Sequence, residues 1–433
     1  MRLFALLSCA CLLAGLPLGA QAWSNHALGS LLALQQVPGL QREVAAEPLE
    51  AFLKDQAPAL ERLLDEQEAF AREHFPNYPA RPDALRWSAT SQADPRAAFV
   101  RALRINPEVR LASFIQQLPG QADGGRPSLL AQDVLVFHKV GPWSQWRYLA
   151  LQPGEAVSAL QVLSSAADEP DYGHDINLFS DNPGEAGQQY GFGTQPFGDA
   201  RFEYSSQAPF HIGYFHESPL IFAAAPYLAR TLPHWRVYQY SGLARLAFAS
   251  GHPYWGYRFL GWTLHYLQDL TQPYHASVLP GVDTSGMVMI AVKAEAGYPQ
   301  DREAAIKRVA DRHTAIEQYQ FARMEDLLRV GPADSPLLTA YADTRTDAGY
   351  PAFDADYAAN VVAAESHERA GELDDLIGRW LAAKPSSQGF SAGNQLAAKA
   401  APDPALEQLL AELFRHFGAH SRNTVRAVVP AAQ

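Results

Sequence analysis

Apolar residues recur along most of this chain at three- and four-residue intervals, the spacing that puts them on one face of an α-helix. The pattern predicts helices over 27–36 and 46–74, the second through Phe52, Leu53, Leu60, Leu63, Leu64 and Phe70. After residue 214 it becomes nearly continuous, with helices expected over 217–230, 236–249, 254–271, 302–330, 355–383 and 404–427. Leu376, Ile377, Leu409 and Leu410 fall in amphipathic stretches that suit core packing. Two regions break the pattern. Residues 75–93, opening FPNYPARPDALRW, are rich in proline and aromatics and read as a loop. Residues 167–214 carry Gly, Asp, Asn and Pro throughout, and a loop of that length in a compact protein is often functional. The segments 129–140 and 146–153 fit strands and short buried helices equally well. Neither a repeat nor a linker divides the chain, so the expected fold is mainly α: a single multi-helix domain over 23–433 with long loop insertions.

The first 22 residues read differently. Arg2 gives a basic start, 3–18 is apolar, and Ala20-Gln21-Ala22 is a small-residue cleavage site, which makes Trp23 the expected first mature residue. A single arginine suits Sec export, and Cys9 lies too early in the apolar run for a lipoprotein box. The expected product is exported, periplasmic or secreted. Cys9 and Cys11 are the only cysteines, so the mature chain has no disulfide, thiolate nucleophile or cysteine metal ligand. No later apolar run reaches the roughly 18 residues of a membrane span. The net charge of −12 disfavours a broad nucleic-acid surface. It does not disfavour a small metal site acting on phosphate, where a cation supplies the positive charge locally.

Residues 262–277, WTLHYLQDLTQPYHAS, concentrate the candidate chemistry. His265, Asp269 and His275 form H-x3-D-x5-H. On a helix His265 and Asp269 lie one turn apart and can grip one cation, and Pro273 ends the helix and turns His275 back toward them. Alone, H-x3-D is more often a surface pair or a satisfied core group. Further donors accompany it. His313 and Glu317 repeat the one-turn spacing in 302–330, and with His275 would make a zinc set of two imidazoles and one carboxylate. Asp168 opens the long loop and His211 closes it, with His216 and His174 competing for the ligand role of His211. Signal cleavage would free the α-amino group of Trp23, which with its own carbonyl oxygen can close a chelate ring, and His26 could add a third bond.

This set resembles the zinc-dependent phospholipases C and the related zinc single-strand nucleases. The match is most specific at LHYLQDLTQPYHAS and is carried elsewhere by the order Trp, His, Asp, His, H-x3-D-x5-H, H-x3-E. The resemblance implies an all-helical fold with three zinc ions at the bottom of a cleft. It implies that His211, His265 and Asp269 hold one zinc. Asp269 would bridge to a second, held also by Trp23 and His26, and His275, His313 and Glu317 would hold the third. Asp168 would be the non-bridging acid that serves as general base, so that zinc-activated water attacks phosphorus. The chain departs from the short family members in its longer intervals Trp23–Asp168, Asp168–His211 and His275–His313, and in the closeness of His26 to Trp23. Residues 27–167 are in part an atypical insertion.

Glu317, where other members carry Asp, and the helix HYLQD look more like the phospholipase branch. The expected function is therefore hydrolysis of phosphatidylcholine-type lipids to diacylglycerol and a phosphorylated headgroup, with transient contact at a membrane surface and no stable nucleic-acid partner. A single-strand nuclease is the alternative within the family, and an exported zinc-binding protein without turnover the alternative outside it. Tyr172, Phe210 and Phe215, expected near the mouth, would cage a choline ammonium or stack on a base.

Overall fold

A computed structural model describes residues 23, 25–90, 93–118, 120–137, 146–198, 203–332, 334–383 and 402–430. The expected signal over 1–22 lies outside the described residues, as does Ser24. The fold is mainly helical. In chain order the helices are α1 (His26–Leu34), α2 (Leu49–Asp55), α3 (Ala57–His74), α4 (Pro95–Leu103), α5 (Ala159–Ala166), α6 (Ala186–Tyr190), α7 (Glu203–Ser206), α8 (Ala208–His211), α9 (Pro219–Ala224), α10 (Pro233–Ala249), α11 (Pro253–Asp269), α12 (Thr284–Glu295), α13 (Gln300–Val330), α14 (Pro336–Ala340), α15 (Ala363–Ala382) and α16 (Pro404–Val428). The strands are short: β1 (Glu43–Ala45), β2 (Phe114–Gln117), β3 (Ser128–Leu129), β4 (Arg147–Ala150) and β5 (Ala156–Ser158). β1 pairs antiparallel with β5, and β4 lies between β2 and β3.

The architecture is organised around α11. Pro253 starts this helix at a position where a missing N–H costs nothing, and every residue from Tyr254 to Asp269 is buried. A helix apolar on most of its circumference must be covered on all sides. Here α10, α5 and α16 supply the cover, and α1 packs on α5 and α16. Gly261 allows α5 its close approach: a Cβ there would lie 2.5 Å from Ala166 Cβ and 2.6 Å from the Leu163 carbonyl oxygen. The main core runs from Trp23 through α11 to Val428.

Some elements differ from the pattern-based expectation. The stretch 46–74 restarts at residue 57 as α3, because Pro58 has no N–H to continue the ladder of α2. Pro226 likewise limits 217–230 to α9 and a 3₁₀ turn over Pro226–Ala229. The ambiguous 146–153 contains β4, and the expected loop 167–214 holds a 3₁₀ turn (Glu169–Tyr172) and α6–α8. Residues 138–140 of the other ambiguous segment lie outside the described residues.

Candidate metal centre

The C-terminal turn of α11 carries His265 and Asp269, both wholly buried. Gln272 is extended, as a residue before proline must be, and its side chain accepts the Tyr274 N–H. The 3₁₀ turn Pro273–His275 then brings His275 back beside α8, where His275 Nδ1 lies 2.8 Å from the His211 carbonyl and Gly213 N–H donates to the His275 carbonyl.

The two oxygens of Asp269 face different imidazoles. Oδ2 lies 2.7 Å from His211 Nδ1 and 3.4 Å from His265 Nε2, and Oδ1 lies 3.3 Å from His26 Nε2. Neighbouring groups fix the tautomers. His265 Nδ1 sits 2.7 Å from the Ala167 carbonyl, so it carries the proton and leaves the Nε2 lone pair toward Asp269. The amide nitrogen of Gln268 donates to Ser30 and Ser421, so its Oε1 is the atom 3.0 Å from His26 Nδ1, and the N–H must be on that side of the ring. His275 Nδ1–H, donated to His211, likewise leaves Nε2 available.

Among the described residues, three buried groups bring ligand atoms close enough to hold a metal ion: His26, His265 and Asp269; Asp171, His211 and His265; and His275, His313 and Glu317. The first two share His265. In the third, His313 Nε2 lies 2.9 Å from Glu317 Oε1, and the His313 ring stands nearly perpendicular to that of His275 with centroids 5.0 Å apart. Tyr274 stacks on the other side of His313, its hydroxyl donating to Asp374, which also pairs with Arg312.

A metal fits these groups on a specific observation. Among the described residues, His275 Nε2 is buried with no hydrogen-bond partner, and His26 Nε2 against Asp269 Oδ1 (3.3 Å) and His313 Nε2 against Glu317 Oε1 (2.9 Å) are buried pairs that lack good hydrogen-bond geometry. Buried polar atoms in folded proteins are nearly always satisfied, and nitrogen and oxygen donors aimed at one another are what zinc uses.

Protonation supports the same reading. Burial pushes His275 down to about 3 and His313 down to about 4, so both rings are neutral donors near pH 7. Burial also lowers His26 and His211, but the hydrogen bonds and charges of neighbouring carboxylates, Asp269 above all, outweigh it and raise them to about 9 and about 10. Without a cation, those two rings carry the protons that balance Asp269. Cation uptake must therefore release protons.

Of the residues expected from sequence, His26, His211, His265, Asp269, His275, His313 and Glu317 are brought into these groups. Trp23 is buried, its indole Nε1 donating to the Gln268 carbonyl and to Thr271, which anchors it beside the end of α11. His216 is exposed, with Nε2 against the Ala359 carbonyl, and His174 packs edge-on against Trp262, so His211 alone of the three competitors joins a donor group.

Asp168 departs from expectation. Its Oδ1 accepts the Ala27 N–H at 3.0 Å, and the His26 N–H and the Gln116 side chain also serve this carboxylate. It is committed to the start of α1, and burial still raises it to about 6. Asp171, one turn further, faces the imidazoles instead, 3.8 Å from His265 Nε2 and 4.0 Å from His211 Nδ1. Burial raises Asp171 as well. The expected aromatic mouth also differs. Tyr172 and Phe210 are buried in the core, Tyr172 among Phe114 and Tyr148, Phe210 among Phe179 and Phe192. Phe215 packs on His234.

Sequence reasoning also missed the residues that hold Asp171 in place. Arg258 of α11 grips Glu169 through Nε and Nη2 at 2.8 and 2.9 Å, and Trp262 donates to the same carboxylate. Arg236 of α10 grips Asp175 at 2.5 Å, and Tyr266 donates to it. Asp175 Oδ2 lies 3.5 Å from His211 Nε2, which orients that ring. The signal was the acidic run Asp168, Glu169, Asp171, Asp175 matched by two arginines on predicted helices.

No protein-family model matches the chain, and neither does any curated protein or solved structure.

Proposed function

We propose that this chain is an exported zinc-dependent phosphodiesterase, a phospholipase C that hydrolyses phosphatidylcholine-type lipids to diacylglycerol and a phosphorylated headgroup. The observation that supports it most is the convergence, among the described residues, of three buried donor groups, two of them sharing His265 and facing the two oxygens of Asp269, with imidazole nitrogens pointed into them. Donors of imidazole and carboxylate type without thiolates, in groups of three, suit zinc with a coordination position to spare. Zinc bound there supplies Lewis acidity toward phosphoryl oxygen and lowers the pKa of water.

The chain's own residues supply the rest. Asp269 offers one oxygen to each of two neighbouring groups. His265, His26 and His275 are held in a single tautomer by Ala167, Gln268 and His211. Asp171, whose Oδ1 stands beside His211 and His265 as a donor of their group, would hold a cation through that oxygen and leave its other oxygen to take the proton of an attacking water, the role first expected of Asp168. Asp168 instead positions His26 through the backbone of α1.

Purified protein assayed on phosphatidylcholine vesicles and on single-stranded DNA, with and without chelator, tests this reading. Chelator-sensitive release of diacylglycerol is expected. Chelator-sensitive cleavage of DNA alone would replace it with the nuclease reading. Zinc bound without hydrolysis of either substrate would favour a non-catalytic binding protein.

A further inference from the structure

Beside the metal centre lies a cavity of another character. Its volume is about 290 Å³, near the lower end of the roughly 300–1,000 Å³ of small-ligand sites, enough for part of a lipid and not the whole. The walls come mainly from α9, α12 and α13 and are largely aliphatic, with Ile212, Ile221, Leu279, Ile290, Ile306 and Val309 among them. His313, a donor of the third group, contributes to the same wall, as does Tyr274. A nucleobase would need partners for its polar edges; Tyr274 has committed its hydroxyl to Asp374, and Tyr214, Tyr227 and Arg302 are the few other polar side chains in a wall that is mostly aliphatic. A hydrocarbon chain needs none.

The helices that wall the cavity are also the most apolar part of the exposed surface. Among the described residues six large apolar side chains are exposed, and four of them cluster here: Leu220 on α9, Met289 and Val292 on α12, and Tyr298 just beyond it. α12 reads TSGMVMIAVKAE, yet none of its residues is buried. A helix this apolar and this uncovered marks an interaction surface. Its one lysine, Lys293, is paired with Asp301 at 2.7 Å, so the surface presents no surplus of positive charge that would demand an anionic partner.

We propose that α9 and α12 seat on a zwitterionic lipid bilayer and that the cavity behind them takes one acyl chain of the lipid whose phosphodiester reaches the metal centre. This rests on the phospholipase reading and extends it to the substrate's apolar half. A chain entering beside His313 draws its lipid part-way out of the bilayer and places the headgroup end next to the donors.

The test is binding without turnover, on the full-length mature protein. Co-sedimentation with phosphatidylcholine vesicles is measured for the native protein, for Met289→Asp/Val292→Asp and for Met289→Leu/Val292→Leu. Calorimetry with palmitoyl lysophosphatidylcholine is run on the native protein and on Ala305→Trp, which fills the cavity. The aspartate pair, at exposed positions that leave folding untouched, should weaken vesicle binding by more than about tenfold, and the leucine pair should retain it. Ala305→Trp should weaken the lysolipid by about tenfold. Native protein that ignores vesicles, or aspartate and tryptophan variants that bind as the native protein does, would overturn the inference. So would a native dimer that the aspartate pair dissociates, since the surface would then belong to a second copy. Vesicle binding that obeys these expectations without any phospholipid hydrolysis would leave the docking standing and sink the phospholipase reading alone.

Discussion

Asp168, just ahead of the 3₁₀ turn Glu169–Tyr172, and Asp171, within it, sit three residues apart and do different things. Asp168 is consumed by the N–H groups that begin α1, while Asp171 faces His211 and His265. Asp171→Asn should lower turnover by roughly two orders of magnitude or more, as loss of a positioned acid–base group does. Asp168→Asn should retain more activity and instead lower thermal stability. Steady-state assays and thermal melts on the two variants check this, and equal activity losses would erase the distinction. The sequence could not separate them: four carboxylates stand within eight residues, and which one turns inward is decided by Arg258 and Arg236, distant in the chain. His265, Asp269, His275, His313 and Glu317 were legible because the one-turn spacing and the proline turn are local geometry, whereas His26 was reached only through its place beside Trp23 and the resemblance.

A second residue-scale prediction lies outside the centre. His234 is packed edge-on between Phe75 and Phe215, at 4.5 and 4.9 Å, and burial pushes its pKa down to about 4. Its unfolded value is about 6.5, so between the two the unfolded chain binds the extra proton. The stability it supports is complete above pH 6.5 and is lost as pH falls toward 4, by at most about 1.4 kcal/mol per pH unit. His234→Phe should flatten the melting temperature against pH in that window relative to the native protein. An unchanged slope would contradict the assignment.

At the scale of elements, the contact of α5 with α11 sets the centre. α5 leads straight into the turn that bears Asp168 and Asp171, and its distance from His265 depends on Gly261. Gly261→Ala would drive a methyl into Ala166 and the Leu163 carbonyl, a backbone atom that cannot step aside. It should destabilise the fold by about 1–3 kcal/mol and weaken zinc binding at the groups containing His265. Denaturant unfolding and zinc titration measure the two effects, and a neutral substitution would show that the helices can separate freely. The long helices α10, α11, α13 and α16 were legible because each carries its apolar spacing over four or more turns. α4, α5 and α12 were not. α5 is short and almost wholly buried, and α12 is uncovered with apolar residues on every side, so neither shows the alternation of faces that periodicity detects.

At the scale of the molecule, the fold gathers Asp168, Asp171 and Asp269 into one buried region with several imidazoles and little else to neutralise them. A chain of net charge −12 with no cysteine beyond residue 11 has no disulfide there to resist that repulsion. Zinc should therefore contribute to stability as well as to chemistry. At zinc a thousandfold above its dissociation constant the contribution is about 4 kcal/mol, seen as a lower melting temperature in chelator, and a melt indifferent to chelator would count against it. Binding should also release protons, since His26 and His211 are protonated in the cation-free chain.

The most direct test of the centre is zinc counted per chain by elemental mass spectrometry, in the native protein and in Asp269→Ala. The proposed function predicts three zinc ions in the native protein, one at His275, His313 and Glu317 and two on either side of Asp269, with His265, which has one free lone pair, a ligand of only one of those two. Asp269→Ala should keep the zinc of His275, His313 and Glu317 and lose the two beside Asp269. A native chain that takes up no zinc, or an alanine variant that holds as much as the native chain, would contradict the account.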